Sequence, residues 1–324
     1  MRSPVSARLA PPLAAAAFAL TAALGPSLPL QRDLRDALIT VDVTRSMNVR
    51  DMNGLSRLEA AHAALRLWIA DQPCGTRVGL AIFTERRSLT LFEPVEVCAD
   101  FATLSAALAA LDWRMAWEGD SMISRGLDHA LKRAEELKAG LIFVTDGHEA
   151  PPLPYSGPNR FAGESPGGVI LGVGGDTPSP IPKFDDLGRE AGFYGPHDVQ
   201  HAPARVGPPP ADAESRPGFH PRNNPYGEAD LEGAEHLSAL RADHLQELAA
   251  GRGLVFLRLS EGPQALSAAF AAPKAAGTGA RMRRIPAPFD LSPFFGALAL
   301  LALLVGWFAP SGLRSSPSAS GDSS

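Results

Sequence analysis

The chain has 324 residues, 45% hydrophobic and 20% charged, which suffices for one large α/β domain or two small ones and excludes a globally disordered protein. Its formal net charge of −5 excludes the basic face of a nucleic-acid binder. Thirty prolines and thirty-one glycines exceed what a core needs; they cluster at 150–168 and 195–227, as loops or insertions do.

Arg2 and Arg8 precede an apolar run from Leu13 to Leu30. Residues 1–31 read as a signal peptide or signal anchor, and the lack of a small-x-small cleavage site before Gln31 favours the anchor. Residues 35–270 read as one domain, with a Pro-rich insertion at 195–235 and a linker at 271–287. The apolar stretch 288–310 is of transmembrane length, since roughly 20 apolar residues cross a bilayer, and 311–324 reads as a disordered tail. Arg2 and Arg8 place the N-terminus inside and the domain outside, whereas Arg281, Arg283 and Arg284 on the domain side of the second span oppose that orientation.

Within the domain, Ala37–Val43 is an apolar run of strand length. Ser56 to Gln72 opens with Ser56 and Glu59 at capping-box spacing and continues with helical periodicity. Arg77–Phe83 and Ser88–Phe92 read as hairpin strands around Thr84–Arg87, the second continuing to Cys98. That hairpin brings Cys74 close to Cys98, so the two cysteines are expected to form a disulfide, which an oxidising compartment preserves. Helices follow at Asp100–Leu111 and Ser121–Lys138, then a buried strand Gly140–Thr145 ending at Asp146. Gly168–Val173 is another strand, Lys183–Ala191 reads as a helix, and a helix at Ala239–Ala250 leads into the strand Leu254–Leu259. Continuous apolar strands between amphipathic helices predict a doubly wound, mostly parallel six-stranded sheet with one antiparallel edge strand.

The chemistry-bearing residues sit at strand ends. Asp42, Thr44 and Ser46 follow the first strand, Ser121 opens a helix, and Asp146 closes the fourth strand. In a doubly wound sheet, ligands bind outside the carboxyl ends of the strands where the strand order reverses. Three hydroxyls and two carboxylates there suit a small hard cation, which wants oxygen ligands and retains waters. Mg2+ is expected, with Ca2+ or Mn2+ as alternatives. An Asx-turn or helix cap is the ordinary reading of Asp42-x-Thr44-x-Ser46 taken alone.

Asp42-x-Thr44-x-Ser46, Ser121 and Thr145-Asp146-Gly147 together resemble the metal-ion-dependent adhesion site of the von Willebrand factor A (vWA) family, over about Asp36 to Ser260. Thr44 stands where Ser is usual, Ser121 where Thr is usual, and Arg45 where Gly is common. The resemblance implies a binding module, not an enzyme, whose protein partner offers an acidic residue to the cation. Thr44–Asp51, Pro73–Gly79 with Val97-Cys98, and Asp112–Trp117 are similar to MxaL-type proteins of bacterial methanol-oxidation clusters. That similarity implies a membrane-tethered accessory at the periplasmic face of the inner membrane, maturing a methanol dehydrogenase with a MoxR-type ATPase. Two-span vWA proteins of aerotolerance and other MoxR-linked operons are the alternative.

Rival readings fit less well. A phosphatase using Asp42 as nucleophile wants a carboxylate at position 44, where Thr stands. Gly172-Val-Gly-Gly175 lacks the third glycine and helix of a dinucleotide loop. His197, His201 and His220 match no zinc spacing. His148 is expected at the rim of the cation site, His62 and His129 at the surface or boundary, and one of Trp113 and Trp117 in the core.

Overall fold

Ala37–Asp42 (β1) is buried at all six positions, as a strand covered on both faces must be. It lies between two parallel neighbours, Arg77–Thr84 (β2) and Gly140–Thr145 (β4), in the register Ala37 to Val78 and Ala37 to Gly140. Beyond β4 lie Gly168–Gly172 (β5) and Val255–Arg258 (β6), both parallel, while Arg87–Glu96 (β3) runs antiparallel beside β2. The order across the sheet is β3-β2-β1-β4-β5-β6. It matches the expected six strands and antiparallel edge, and places the reversal of strand order between β1 and β4.

Alternate side chains of each strand serve opposite faces. Ile39, Val41, Ile142 and Val144 join a cluster with Leu65 and Trp68 of Arg57–Ala70 (α1), Leu104 of Phe101–Ala109 (α2) and Phe270 of Pro263–Ala271 (α5). Leu38, Leu141 and Phe143 face the other way, onto Leu127 of Ile123–Glu136 (α3) and Leu245 of Ala242–Ala250 (α4). The α1 start follows the sequence closely. Ser56 Oγ accepts from Glu59 N at 3.1 Å, and the Glu59 carboxylate accepts from Ser56 N at 2.7 Å.

The structure is a computed structural model describing residues 4–153, 158, 161–201, 207–221, 223–227, 233–272 and 282–308. The chain divides into two units, Leu34–Arg283, which holds the sheet, and Met1–Asp33 together with Arg284–Ser324. The expected tail at 311–324 lies outside the described residues, as do 273–281 of the expected linker.

One element differs from expectation. The helix expected at Lys183–Ala191 is a strand pair, Pro182–Phe184 against Glu190–Phe193. The intervening residues make a turn: Asp185 accepts from Leu187 N and Arg189 N at 2.9 Å, and Gly188 adopts a φ of 75°. Prolines at 180 and 182 deny a helix its amide donors, and an Asp-Asp-Leu-Gly turn closes a hairpin instead. This hairpin belongs to an excursion between β5 and α4, whose two feet pair as Ser179–Pro180 with Leu237–Ser238.

The two cysteines are bonded as expected, with Cα atoms 5.3 Å apart, across the β2–β3 hairpin. In the terminal unit, helices at Pro4–Ala23 and Ser292–Phe308 pack together, with Phe18 stacked on Phe295 at 6.5 Å. The expected transmembrane spans are corrected here: among the described residues, no helix is long and apolar enough to cross a membrane. Ser292–Phe308 has 17 residues, and positions 309 and 310 of the expected span lie outside the described residues. The N-terminal helix carries Pro11 and Pro12 within it. Trp113 and Trp117 also depart from expectation. Neither is core: Trp113 stacks on Phe184 of the excursion at 4.6 Å, and Trp117 is exposed.

The disulfide closes 24 residues of chain, so the Cys74→Ser/Cys98→Ser protein should lose about 3 kcal/mol in urea unfolding while keeping its circular dichroism spectrum. A loss below about 1 kcal/mol would show that the hairpin holds without it.

Candidate metal centre

Asp42 ends β1 and Thr145 ends β4; because Val41 is in register with Val144, the two meet across the reversal point. The Thr145 hydroxyl donates to Asp42 Oδ2 at 2.7 Å, and Thr44 N donates to Asp42 Oδ1 at 2.9 Å. The Asx-turn therefore exists, but it accounts only for the carboxylate. Thr44 occupies the cap position of the short turn Arg45–Asn48 without its side chain making a cap hydrogen bond.

Asp146 is held in a similar way. Its Oδ1 accepts from His148 N at 3.0 Å, and its Oδ2 accepts from Ser238 Oγ at 3.0 Å and from an Arg57 Nη at 2.5 Å. Both carboxylates are fully buried. Ser121 enters from a third loop, which is laced to its neighbours by backbone bonds: Glu85 N to the Asp120 carbonyl at 2.9 Å and Ala150 N to the Ser121 carbonyl at 2.8 Å.

The five residues singled out in the sequence thus converge. What remains is their hydroxyls: Thr44 Oγ1, Ser46 Oγ and Ser121 Oγ are all buried with no hydrogen-bond partner. Buried polar atoms are rarely left so, and each orphan asks for an explanation. Thr44 and Ser46 do lie near enough to Asp42 and Asp146, respectively, to favour their charged forms, without the directionality of a hydrogen bond. Three neutral oxygens beside two carboxylates make a donor set suited to a hard divalent cation. The carboxylate oxygens already accept hydrogen bonds, which suits them to act through water or as orienting groups while the hydroxyls face the pocket.

Arg57 carried no signal in the sequence beyond its place at the start of α1. Its side chain is fully buried, and besides Asp146 it donates to Asp51 at 2.7 Å, to the Ser238 carbonyl at 3.0 Å and to Ser238 Oγ at 2.7 Å. Burial alone would lower its pKa, yet Asp146 and Asp51 hold it above the usual value. The two site carboxylates consequently diverge. Burial, reinforced by the neighbouring Asp146 charge, pushes Asp42 up to about 7. For Asp146 burial acts the same way, but Arg57 outweighs it and holds the carboxyl below its ordinary range.

The hydroxyls open into a pocket of 570 Å3 whose other wall comes from the excursion, including Lys183, Tyr194 and Asp198. His148 lines it as expected for a rim residue, but it is buried; burial lowers its pKa despite Asp146 and Glu235, the latter 3.5 Å from Nε2. His62 is half-buried, at the boundary, and His129 is exposed. Among the described residues the one cluster of three His, Cys, Asp or Glu ligand atoms is Cys74, Glu96 and Cys98, and its cysteines are spent in the disulfide. The histidines of the excursion form no such cluster.

Removing Arg57 leaves Asp146 buried without its cation. Arg57→Ala should lower the unfolding free energy by roughly 3–5 kcal/mol in chemical denaturation; a loss under 1 kcal/mol would mean water replaces it. Asp42 predicts a pH dependence. Its folded pKa exceeds the unfolded value of 3.8, so the folded protein holds a proton that the unfolded chain releases. That contribution is fully present below about pH 4 and is lost as pH rises through about 7. In EDTA, wild-type stability should therefore fall from pH 5 to pH 8 more steeply than that of Asp42→Asn, and parallel profiles would exclude Asp42 as the source.

No protein-family description and no curated protein matches the chain. Among solved structures, an aerotolerance-related membrane protein of Bacteroides fragilis aligns at 16% identity and a TM-score of 0.46, covering 72% of this chain and 96% of its own. BatB of Bacteroides thetaiotaomicron aligns at 16% identity and a TM-score of 0.45, covering 73% and 97%. A von Willebrand factor type A protein of Catenulispora acidiphila aligns at 15% identity and a TM-score of 0.27, over 37% of this chain and 27% of its own. These likenesses concern the path of the chain and extend to no residue of the site.

Proposed function

We propose that this chain is a vWA-type module that binds a protein partner through a divalent cation, Mg2+ first among Ca2+ and Mn2+, and is not an enzyme. The observation that carries this reading is the set of three buried, unpartnered hydroxyls of Thr44, Ser46 and Ser121 beside Asp42 and Asp146 at the reversal point of the sheet. When bound, the cation supplies an electrophilic position for an acidic side chain of the partner. The chain's own residues fix the hydroxyls, balance the charge and exclude water around them.

The phosphatase alternative is weakened by the same geometry. Each Asp42 oxygen already accepts a hydrogen bond and the side chain is fully buried, which is a poor nucleophile's setting.

We place the protein at a bacterial inner membrane with the sheet unit facing the periplasm. The disulfide supports an oxidising compartment, and the exposed Leu300, Leu301, Leu304, Trp307 and Phe308 of the C-terminal helix support attachment to an apolar phase. The role of accessory to a periplasmic methanol dehydrogenase rests on the sequence similarity at Thr44–Asp51, Pro73–Gly79 and Asp112–Trp117. An aerotolerance-type or other MoxR-linked operon remains the second assignment.

Titration calorimetry with Mg2+ should show one site, weakened at least tenfold in Ser46→Ala and in Ser121→Ala. Asp42→Ala should abolish EDTA-sensitive capture of a purified quinoprotein methanol dehydrogenase while keeping the fold. Capture indifferent to both EDTA and Asp42→Ala would overturn the cation reading. Metal binding without capture of the dehydrogenase would overturn only the methanol-oxidation role.

A further inference from the structure

The pocket above the hydroxyls is larger than a lone carboxylate needs. At 570 Å3 it falls in the range that encloses most of a small ligand. Its walls differ in charge. Glu118 and Asp120 stand beside Ser121 on one wall. On the excursion side, Lys183 and Asp198 pair at 3.1 Å, and Glu235 faces His148 at 3.5 Å, so those charges are largely answered within the protein.

Arg45 is different. It sits between Thr44 and Ser46 in the chain, lines the pocket and is half-buried. Its guanidinium lies over the Tyr194 ring, 5.1 Å from the centroid. It also packs against Gly119, where an added Cβ would fall 2.5 Å from Nη2. Among the described residues, no carboxylate or other acceptor meets this guanidinium, whereas Arg57, Arg114 and Arg252 each pair with an acidic group. A partly desolvated, sterically fixed cation with no counter-ion among the described residues is poised for one, and the planar guanidinium fork matches a carboxylate with two parallel hydrogen bonds.

We propose that Arg45 is a specificity-determining residue that takes a second carboxylate of the ligand, so that the pocket prefers a segment with two neighbouring acidic side chains over one with a single acidic residue. This rests on the cation-dependent reading above, in which the first carboxylate goes to the metal position. The Arg45 guanidinium, held between Gly119 and the Tyr194 ring, is the place for the second. Tyr194 comes from the excursion, so the preference depends on that segment as well as on the strand-end motif.

The test uses the full chain with saturating Mg2+ and two fluorescent peptides, neutral except for one glutamate or two adjacent glutamates. Fluorescence anisotropy should show the two-glutamate peptide binding about tenfold tighter, the size of one added charge-assisted contact. Arg45→Gln should erase that preference while leaving EDTA-sensitive binding of the one-glutamate peptide, and Arg45→Lys should restore part of it. A preference unchanged in Arg45→Gln with EDTA sensitivity intact overturns the Arg45 assignment alone. Binding indifferent to EDTA overturns the cation reading and this inference with it. No preference in the wild type, or no binding of either peptide, also overturns it.

Discussion

A guanidinium buried at the centre of the strand-end region holds the site together. Arg57 joins three separate stretches of chain: Asp51 after the first strand, Asp146 after the fourth, and Ser238 at the foot of the excursion. Asp51 in turn accepts from Gly175 N at 2.9 Å, at the excursion's other foot. Two carboxylates cannot sit fully buried side by side at a sheet edge unless something answers their charge. Arg57 answers one of them, and the other, Asp42, takes up protons more readily because of its burial and the neighbouring Asp146 charge. Replacing a whole buried ion pair with apolar groups is often neutral for stability, so the value of this arrangement lies in position more than in net free energy.

From that constraint follows a division of roles among the oxygens. The carboxylates spend their lone pairs on backbone amides, hydroxyls and Arg57, which fixes the loops that follow β1 and β4. The hydroxyls of Thr44, Ser46 and Ser121 are then left facing the pocket with nothing to bond. A rim of the sheet that would otherwise be shallow becomes concave because the excursion between β5 and α4 folds over it, bringing Lys183 and Tyr194 to the far wall. Site and excursion are therefore one structure, joined through Arg57.

Much of the fold was legible because burial on both faces forces continuous apolar strands, and Ile39, Val41, Ile142 and Val144 are spaced accordingly. The capping box at Ser56 and Glu59, the hairpin and the cysteine pair were readable for the same reason: each is decided by residues near one another in the chain. The terminal segments were read as membrane spans, and among the described residues no helix is long and apolar enough to cross a membrane, since apolar composition shows a preference for a nonpolar setting but not where a helix begins and ends. Trp113 was likewise misplaced, because its partner Phe184 lies 71 positions away in a segment read as a helix.

The sequence by itself determined which oxygens could meet. Asp42, Thr44 and Ser46 follow one strand, Asp146 another, and the alternation of strands and helices sets both at the same end of a parallel sheet. Only the tertiary structure decided what each does there. Whether a carboxylate is charged, whether a hydroxyl is satisfied and whether an arginine is paired depend on groups distant in the chain: Arg57 on Asp146 and Ser238, Arg45 on Tyr194 and Gly119. Local pattern fixes the direction of the backbone; electrostatic environment is a sum over everything packed nearby, and that sum exists only once the chain has folded.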